Sequence, residues 1–359
     1  MLKKTFDGFI SYMQILDENG NVDKDLFPKD LDDKTILDMY KYMNLARAVD
    51  AKALSLQRQG RLATYAPLVG QEAEQIGSAM AMDKKDLLVP NYRQHGVMIV
   101  RGLQLKDFFV FWKGYEDGAA TFKSINSLAV AVPVGTQTQH ATGLAYAQKY
   151  LNTNSSVVTY IGDGGTSEGD FYEAMNFAGV MKVPLLIIIE NNQWAISVPR
   201  AKQSAAQTLA QKAMAAGIEG MQVDGNDVFA VYKATKEALA KAQKSGPVLL
   251  ECITYRMSMH TTSDDPTKYR SEEEVDSWKA KDPIERLKNY IIKKGIWNDS
   301  NETNMKNEQQ MLIDEAVKEA EQFKPNPKDM FETVYSFMPE TLKEEYDDAI
   351  TSNFWIDKN

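Results

Sequence analysis

Apolar positions along the chain switch between two periods, and the switches mark out its elements. From 34 to 59 they recur at helical spacing (Ile36, Leu37, Tyr40, Met43, Leu45, Ala46, Val49, Ala53, Leu54), which predicts one helix ended by Gly60. A second helix is expected over 71–82, where Ala73, Gly77, Ala79 and Ala81 allow close packing. From Asp86 to Arg256 short apolar runs alternate with helical ones. Strands are expected at 87–89, 157–161, 185–189, 220–223 and 248–255, and helices at 137–150, 168–181, 205–217 and 227–244. That alternation predicts an α/β fold with a doubly wound parallel sheet. Residues 1–33 read as an arm with a strong turn at Asp17–Asn21, and 34–285 as the α/β domain. Residues 261–276 read as an exposed polar loop, and 286–359 as a helical extension with a charged amphipathic helix at 308–324.

One segment of this pattern carries chemistry. The run VVTYI enters Gly162-Asp163-Gly164-Gly165, a helical stretch follows, and VPLLIII ends at Glu190-Asn191-Asn192. Two parallel strands joined by a helix bring both strand ends to one edge of the sheet, where open α/β sheets bind ligands. Glycines there let backbone N–H groups approach an anion at a helix N-terminus. Asp163 and Asn192 offer one charged and one neutral oxygen, the hard ligands that Mg²⁺ or Ca²⁺ prefers. The segment therefore reads as a joint site for a metal and a diphosphate. Its bland alternative is a plain βαβ unit with turns at 162–165 and 191–193. A dinucleotide-binding dehydrogenase would want G-x-G-x-x-G after the first strand, and no such placement occurs.

Bulk properties narrow the partners. The 359 residues, enough for about two domains, are 43% hydrophobic and 25% charged, with a net charge of −9 and a pI near 5.1. No basic patch stands out, which argues against nucleic acid. The longest apolar run, 183–189, is too short to span a bilayer, and MLKKTFDGFISYMQIL lacks the apolar core of a signal peptide. Cys252 is the single cysteine, so no internal disulfide forms, and a cytoplasmic location is expected. Of the three histidines, His95 follows Pro90-Asn-Tyr-Arg-Gln94, His140 ends Val134-Gly-Thr-Gln-Thr-Gln, and His260 follows Tyr255-Arg-Met-Ser-Met259.

Several stretches taken together resemble one family in the same order. They are the arm, QRQGRLATYAPLVGQEAEQIG at 57–77, PNYRQHG at 90–96, the GDG segment with NN 26 residues further on, and YRMSMHTTSDDPTKYR at 255–270. The family is the E1 α subunit of 2-oxo acid dehydrogenase complexes, of the kind with separate α and β chains. The resemblance spans about 15–345, and the arm with QGRL and YAP is most similar to bacterial members that use pyruvate.

The resemblance implies a thiamine diphosphate-binding fold with thiamine diphosphate and Mg²⁺ as cofactors. Carried over by position, Asp163, Asn192 and the main-chain carbonyl of Trp194 would bind Mg²⁺, with Gly162, Gly164 and Gly165 around the phosphates. Tyr92 and Arg93 would hold the diphosphate, where a guanidinium makes directional, charge-assisted bonds. Val132 and Val134 would present backbone groups near the cofactor rings, although they also read as an ordinary core strand. His260 matches the active-site histidine of the loop over the cofactor, Arg256, Tyr269 and Arg270 match residues that shape that loop, and His95 falls near the substrate entrance. Glu72 is left as a helix N-terminal carboxylate. Two departures stand out. Gln193-Trp194 replaces the Arg-Tyr of animal subunits, which a main-chain ligand tolerates. Thr261 replaces their regulated serine, and an additional Asp precedes Pro266, which weighs against kinase control.

In the family a 2-oxo acid is decarboxylated and its acyl group passes to the lipoyl group of an E2 acyltransferase. The glutamate that activates the cofactor belongs to the β chain, so the resemblance implies an α₂β₂ heterotetramer with the site at the α/β interface. Pyruvate is the favoured substrate, with branched-chain 2-oxo acids and acetoin as alternatives. A noncatalytic scaffold subunit would have lost Asp163, Asn192 or the basic diphosphate contact, and all are present.

Overall fold

Strands β3 and β4 are buried on both faces because their sequences, VVTYIG and LLIIIEN, offer apolar side chains in both directions. The computed structural model describes residues 1–130, 132–326 and 328–352. In chain order the strands are β1 (Ser11–Met13), β2 (Leu87–Val89), β3 (Val157–Gly162), β4 (Leu185–Asn191), β5 (Trp194–Ala195), β6 (Val198–Pro199), β7 (Glu219–Asp224) and β8 (Val248–Ile253). Six form a parallel sheet in the order β1-β7-β8-β4-β3-β2, while β5 and β6 pair antiparallel beside it.

Alternate side chains sort the core. Val158, Tyr160, Leu186 and Ile188 join a cluster with Val49 and Ala53 of helix Asp33–Arg58, Phe108 and Phe109 of Leu105–Trp112, and Val231 and Ala234 of Val228–Ser245. Val157, Ile161, Leu185, Ile187 and Ile189 face the other way, onto Ala141 and Ala145 of helix Thr136–Tyr150 and Phe171, Met175 and Ala178 of Gly169–Met181. Each large side chain so buried contributes about 1.5–3 kcal/mol. A β-carbon on Gly77 would come within 2.9 Å of the Val228 carbonyl oxygen, so glycine lets helix Glu72–Ala81 lie against Val228–Ser245.

Several elements differ from the periodicity. The expected helix at 205–217 is only Lys212–Ala215, since Leu209 turns into the core and the Ala210 N–H donates to buried Glu251 instead of to a helical carbonyl. β8 stops at Ile253, after which the Thr254 N–H donates to the Asn191 carbonyl. The loop expected over 261–276 is interrupted by helix Glu272–Lys279, whose N-cap Ser271 accepts from the Glu274 N–H. Helix Asp299–Gln322 starts earlier than its apolar pattern, at an Asn298/Asn301 capping box. The segment read as an arm supplies edge strand β1 and buries Ile15 and Leu16, whose N–H groups donate to Asp227. Of the C-terminal extension, 353–359 lies outside the described residues. Among the described residues no helix is long and apolar enough to cross a membrane.

Candidate active site

Because β2, β3, β4 and β8 run parallel, their carboxyl ends deliver Tyr92-Arg93, Asp163, Asn192 and Arg256 to one edge. A cleft of about 620 Å³ opens there, within the usual size of a small-ligand site. It is lined by Tyr92, Arg93, Val132, Val134, Gly162, Asp163, Gly164, Gly165, Asn192, Trp194 and His260. It is also lined by Thr64, Ala66, Asn91, Trp112, Glu168, Glu190, Ala195, Ile196, Gln203 and Thr261. Arg256, Tyr269, Arg270 and His95 do not line it.

The glycine turn is fixed by close approaches. A β-carbon on Gly164 would lie 2.5 Å from that of Ala195, and one on Gly165 would lie 2.7 Å from the Ile161 side chain. Glycine is needed at both. Asp163 follows β3 directly at 1% exposure, and its Oδ2 has no hydrogen-bond partner among the described residues. Burial pushes its carboxyl up to about 7, opposed by backbone hydrogen bonds and by Arg256. Asn192 donates from Nδ2 to Gln71 Oε1 at 2.9 Å, which orients its amide, and its Oδ1 accepts a long 3.3 Å bond from the Trp194 N–H. The Trp194 carbonyl accepts from Arg256 Nη1 at 3.0 Å, and a carbonyl oxygen has a second lone pair. An orphaned carboxylate oxygen beside two uncharged oxygens fits a hard divalent cation, which would supply the missing partner.

The 255–270 segment forms the opposite wall. Arg93, 3% exposed, donates from Nη2 to the His260 carbonyl at 3.1 Å and approaches Nδ1 at 3.3 Å, while Arg256 Nη1 approaches the same Nδ1 at 3.4 Å. Arginine only donates, so Nδ1 is the acceptor and the ring proton sits on Nε2. Burial, then Arg93 and Arg256, push the His260 pKa down to about 3, so the ring is neutral. Its Nε2–H is thus available as a donor at the cleft.

Arg256 is fully buried and brackets the loop, donating to the carbonyls of Trp194 and Ile196 (2.6 Å) and to the Tyr269 hydroxyl (2.9 Å). Tyr269 donates on to Asp264, which also accepts the His260 N–H at 2.7 Å. Burial works against that carboxylate, but these bonds hold its pKa below the usual range. Arg270 caps the carbonyls of Arg256, Met257 and Ser258 and lies over the Tyr255 ring. Arg256, Tyr269 and Arg270 do not line the cleft themselves; Arg256 and Tyr269 reach it through the cleft-lining Trp194, Ile196 and His260.

His95, expected near the substrate entrance, does not line the cleft. It is 3% exposed, stacked on Tyr65, edge-on to Phe108 and Trp112, and bonded through Nε2 to the Ala66 carbonyl. Ala66 and Trp112, both of which it contacts, line the cleft. Burial pushes its pKa down to about 3. Glu72 pairs with Arg47 at 2.7 Å and accepts the Gly70 N–H, a structural role. Val132 and Val134 are not core: they are 68% and 47% exposed at the cleft rim, outside any strand. Sequence reasoning missed Thr64, Trp112, Glu190 and Gln203. Glu190 could have been noticed as the charge ending an apolar strand immediately before Asn191-Asn192, whereas Trp112 carries no local signal. Burial, then Glu190, push the neighbouring Glu74 far up.

Comparison with known proteins bears on the family of the chain. A family model described as "Dehydrogenase E1 component" matches residues 40–328. "Pyruvate dehydrogenase E1 component subunit alpha" of Staphylococcus aureus (strain Mu50 / ATCC 700699) is 44% identical over 339 residues, 93% of this chain and 91% of that protein. The protein of the same name from Acholeplasma laidlawii is 44% identical over 336 residues, 92% of this chain and 97% of that one. The one from Staphylococcus epidermidis is 42% identical over 339 residues. With a family model spanning well over half its length and relatives of this identity along nearly all of it, the chain belongs to the dehydrogenase E1 component family.

Proposed function

We propose that this chain is the α subunit of an E1 component that decarboxylates pyruvate with thiamine diphosphate and Mg²⁺ and passes the acetyl group to the lipoyl group of an E2 acyltransferase. The observation that carries the reading is the unpartnered Oδ2 of buried Asp163, held in a glycine turn across one cleft from neutral His260. The names of the relatives support pyruvate.

Asp163, Asn192 and the Trp194 carbonyl would hold the cation. Gly162, Gly164, Gly165, Tyr92 and Arg93 would hold the diphosphate, and Val132 and Val134 would flank the rings. Bound there, thiamine diphosphate supplies the electron sink that decarboxylation of a 2-oxo acid requires. Asp163 would hold a cation as a carboxylate, and such a cation would offset the burial that otherwise favours its protonated form. His260 donates a hydrogen bond from Nε2, and the two arginines on Nδ1 keep the ring in that tautomer. Arg93, already committed to His260 and to the Pro67 carbonyl, couples the loop position to the anion.

The glutamate that activates the cofactor comes from a β subunit, so the chain works as an α₂β₂ heterotetramer and is inactive alone. Decarboxylation of pyruvate by the purified chain, with cofactor and Mg²⁺, tests this with and without the partner. Activity should need the partner, and full turnover without it refutes the two-chain reading. On the reconstituted tetramer, pyruvate should outpace 3-methyl-2-oxobutanoate, and the reverse would reassign the substrate to branched-chain acids.

A further inference from the structure

Beneath the glycine turn lies a charge that the site as described does not use. Lys212 is only 7% exposed, and among the described residues its ammonium donates solely to Thr166, to the carbonyl at 2.6 Å and the hydroxyl at 2.9 Å. No carboxylate among the described residues pairs with it, and the Tyr172 ring lies 5.1 Å from Nζ. The Thr166 hydroxyl, accepting from Lys212, donates in turn to the Asp163 carbonyl at 2.7 Å. Leu209 and Ala213, packed in the core beside Phe171, hold the lysine in place. An unpaired ammonium in such a setting is costly, and a nearby anion offsets that cost.

We propose that Lys212 is a positioning residue for the diphosphate: through Thr166 it fixes the turn that carries Asp163, and its charge is balanced by the anion bound above that turn. This rests on the thiamine diphosphate reading. A ligand with more phosphate charge should depend on Lys212 more, which a purely structural lysine would not produce.

The test uses the chain reconstituted with its partner subunit, with Mg²⁺, and compares binding of thiamine diphosphate and thiamine monophosphate. Lys212→Met keeps the aliphatic stem and removes the charge. It should weaken thiamine diphosphate about 10- to 100-fold, as loss of an outer-shell partner does, and reduce the preference for diphosphate over monophosphate. The KM for pyruvate at saturating cofactor should stay unchanged, and Lys212→Arg should restore most of the preference. Thr166→Val, which leaves the lysine in place, should weaken binding in the same direction and serves if the first variant fails to assemble. An unchanged preference in the assembling variants, or equal loss for both ligands together with a lowered melting temperature, overturns the proposal. Wild-type protein that binds neither ligand overturns the cofactor reading as well, whereas wild-type binding with an indifferent Lys212→Met sinks only the role of the lysine.

Discussion

On the β3–β4 side of the cleft, Asp163 keeps an oxygen without a partner and Val132 and Val134 stand exposed. On the 255–270 side, Arg256 commits both terminal nitrogens to the protein, Tyr269 and the His260 N–H converge on Asp264, and Arg270 caps three carbonyls. Both walls are rich in charge, yet the first leaves a carboxylate oxygen open to a visitor while the second offers only the His260 Nε2–H. A residue's type does not separate ligand from support. Access to the cleft does: Arg93 and Arg256 each commit both terminal nitrogens to the protein, but only Arg93 lines the cleft. Histidines repeat the lesson: burial holds both His95 and His260 neutral, but one is sealed by aromatic rings and the other lines the cleft.

The contrast is most exposed to refutation at Asp163. Asp163→Ala should weaken Mg²⁺-dependent cofactor binding by more than about 100-fold, beyond the effect typical of outer-shell partners, while the melting temperature without cofactor holds or rises. Calorimetric titration showing unchanged affinity would remove the open wall altogether. Arg256→Met should act in the opposite sense, costing about 3 kcal/mol in denaturant unfolding because buried carbonyls lose charged donors. If it unfolds like wild type and loses only cofactor affinity, the supporting wall is a binding wall.

The histidine pair gives a pH test. Folded His95 refuses a proton until about pH 3, whereas the unfolded chain accepts one near 6.5, so stability is lost as pH falls through that window. His95→Phe, which keeps the aromatic packing, should flatten that limb by up to about 1.4 kcal/mol per pH unit. An unaltered acid limb would mean that His95 is already charged when folded. The smallest effect is expected at the rim: Val134→Ser should shift stability by no more than about 0.5 kcal/mol, yet weaken cofactor binding or assembly with the partner measurably. A core-sized loss of stability would contradict its exposure.

Much of this was legible because it is local. A βαβ unit ties GDG to NN within one stretch of chain, and its alternation of buried strands with helices survives any tertiary context. Tyr92-Arg93 and His260 were legible through the resemblance. Other features hid because they depend on distant partners. The failure of the 205–217 helix turns on Glu251, and the retreat of His95 turns on Phe108 and Trp112. Whether the donors of Arg256 are free or spent has no signature in the sequence, because their acceptors lie at Trp194, Ile196 and Tyr269.

Strand β1 has a consequence in time. It pairs with β7, which is made much later, and Gln14 meets Asp224 across 210 residues of sequence. At ~5–20 residues per second, the ribosome leaves that segment waiting roughly 10–40 seconds for its partner. For that interval the nascent chain carries Ile15 and Leu16 uncovered, and the sheet cannot close its outer edge until β7 emerges. A chain nicked between β1 and β7 would therefore have to recapture β1 as part of a separate fragment.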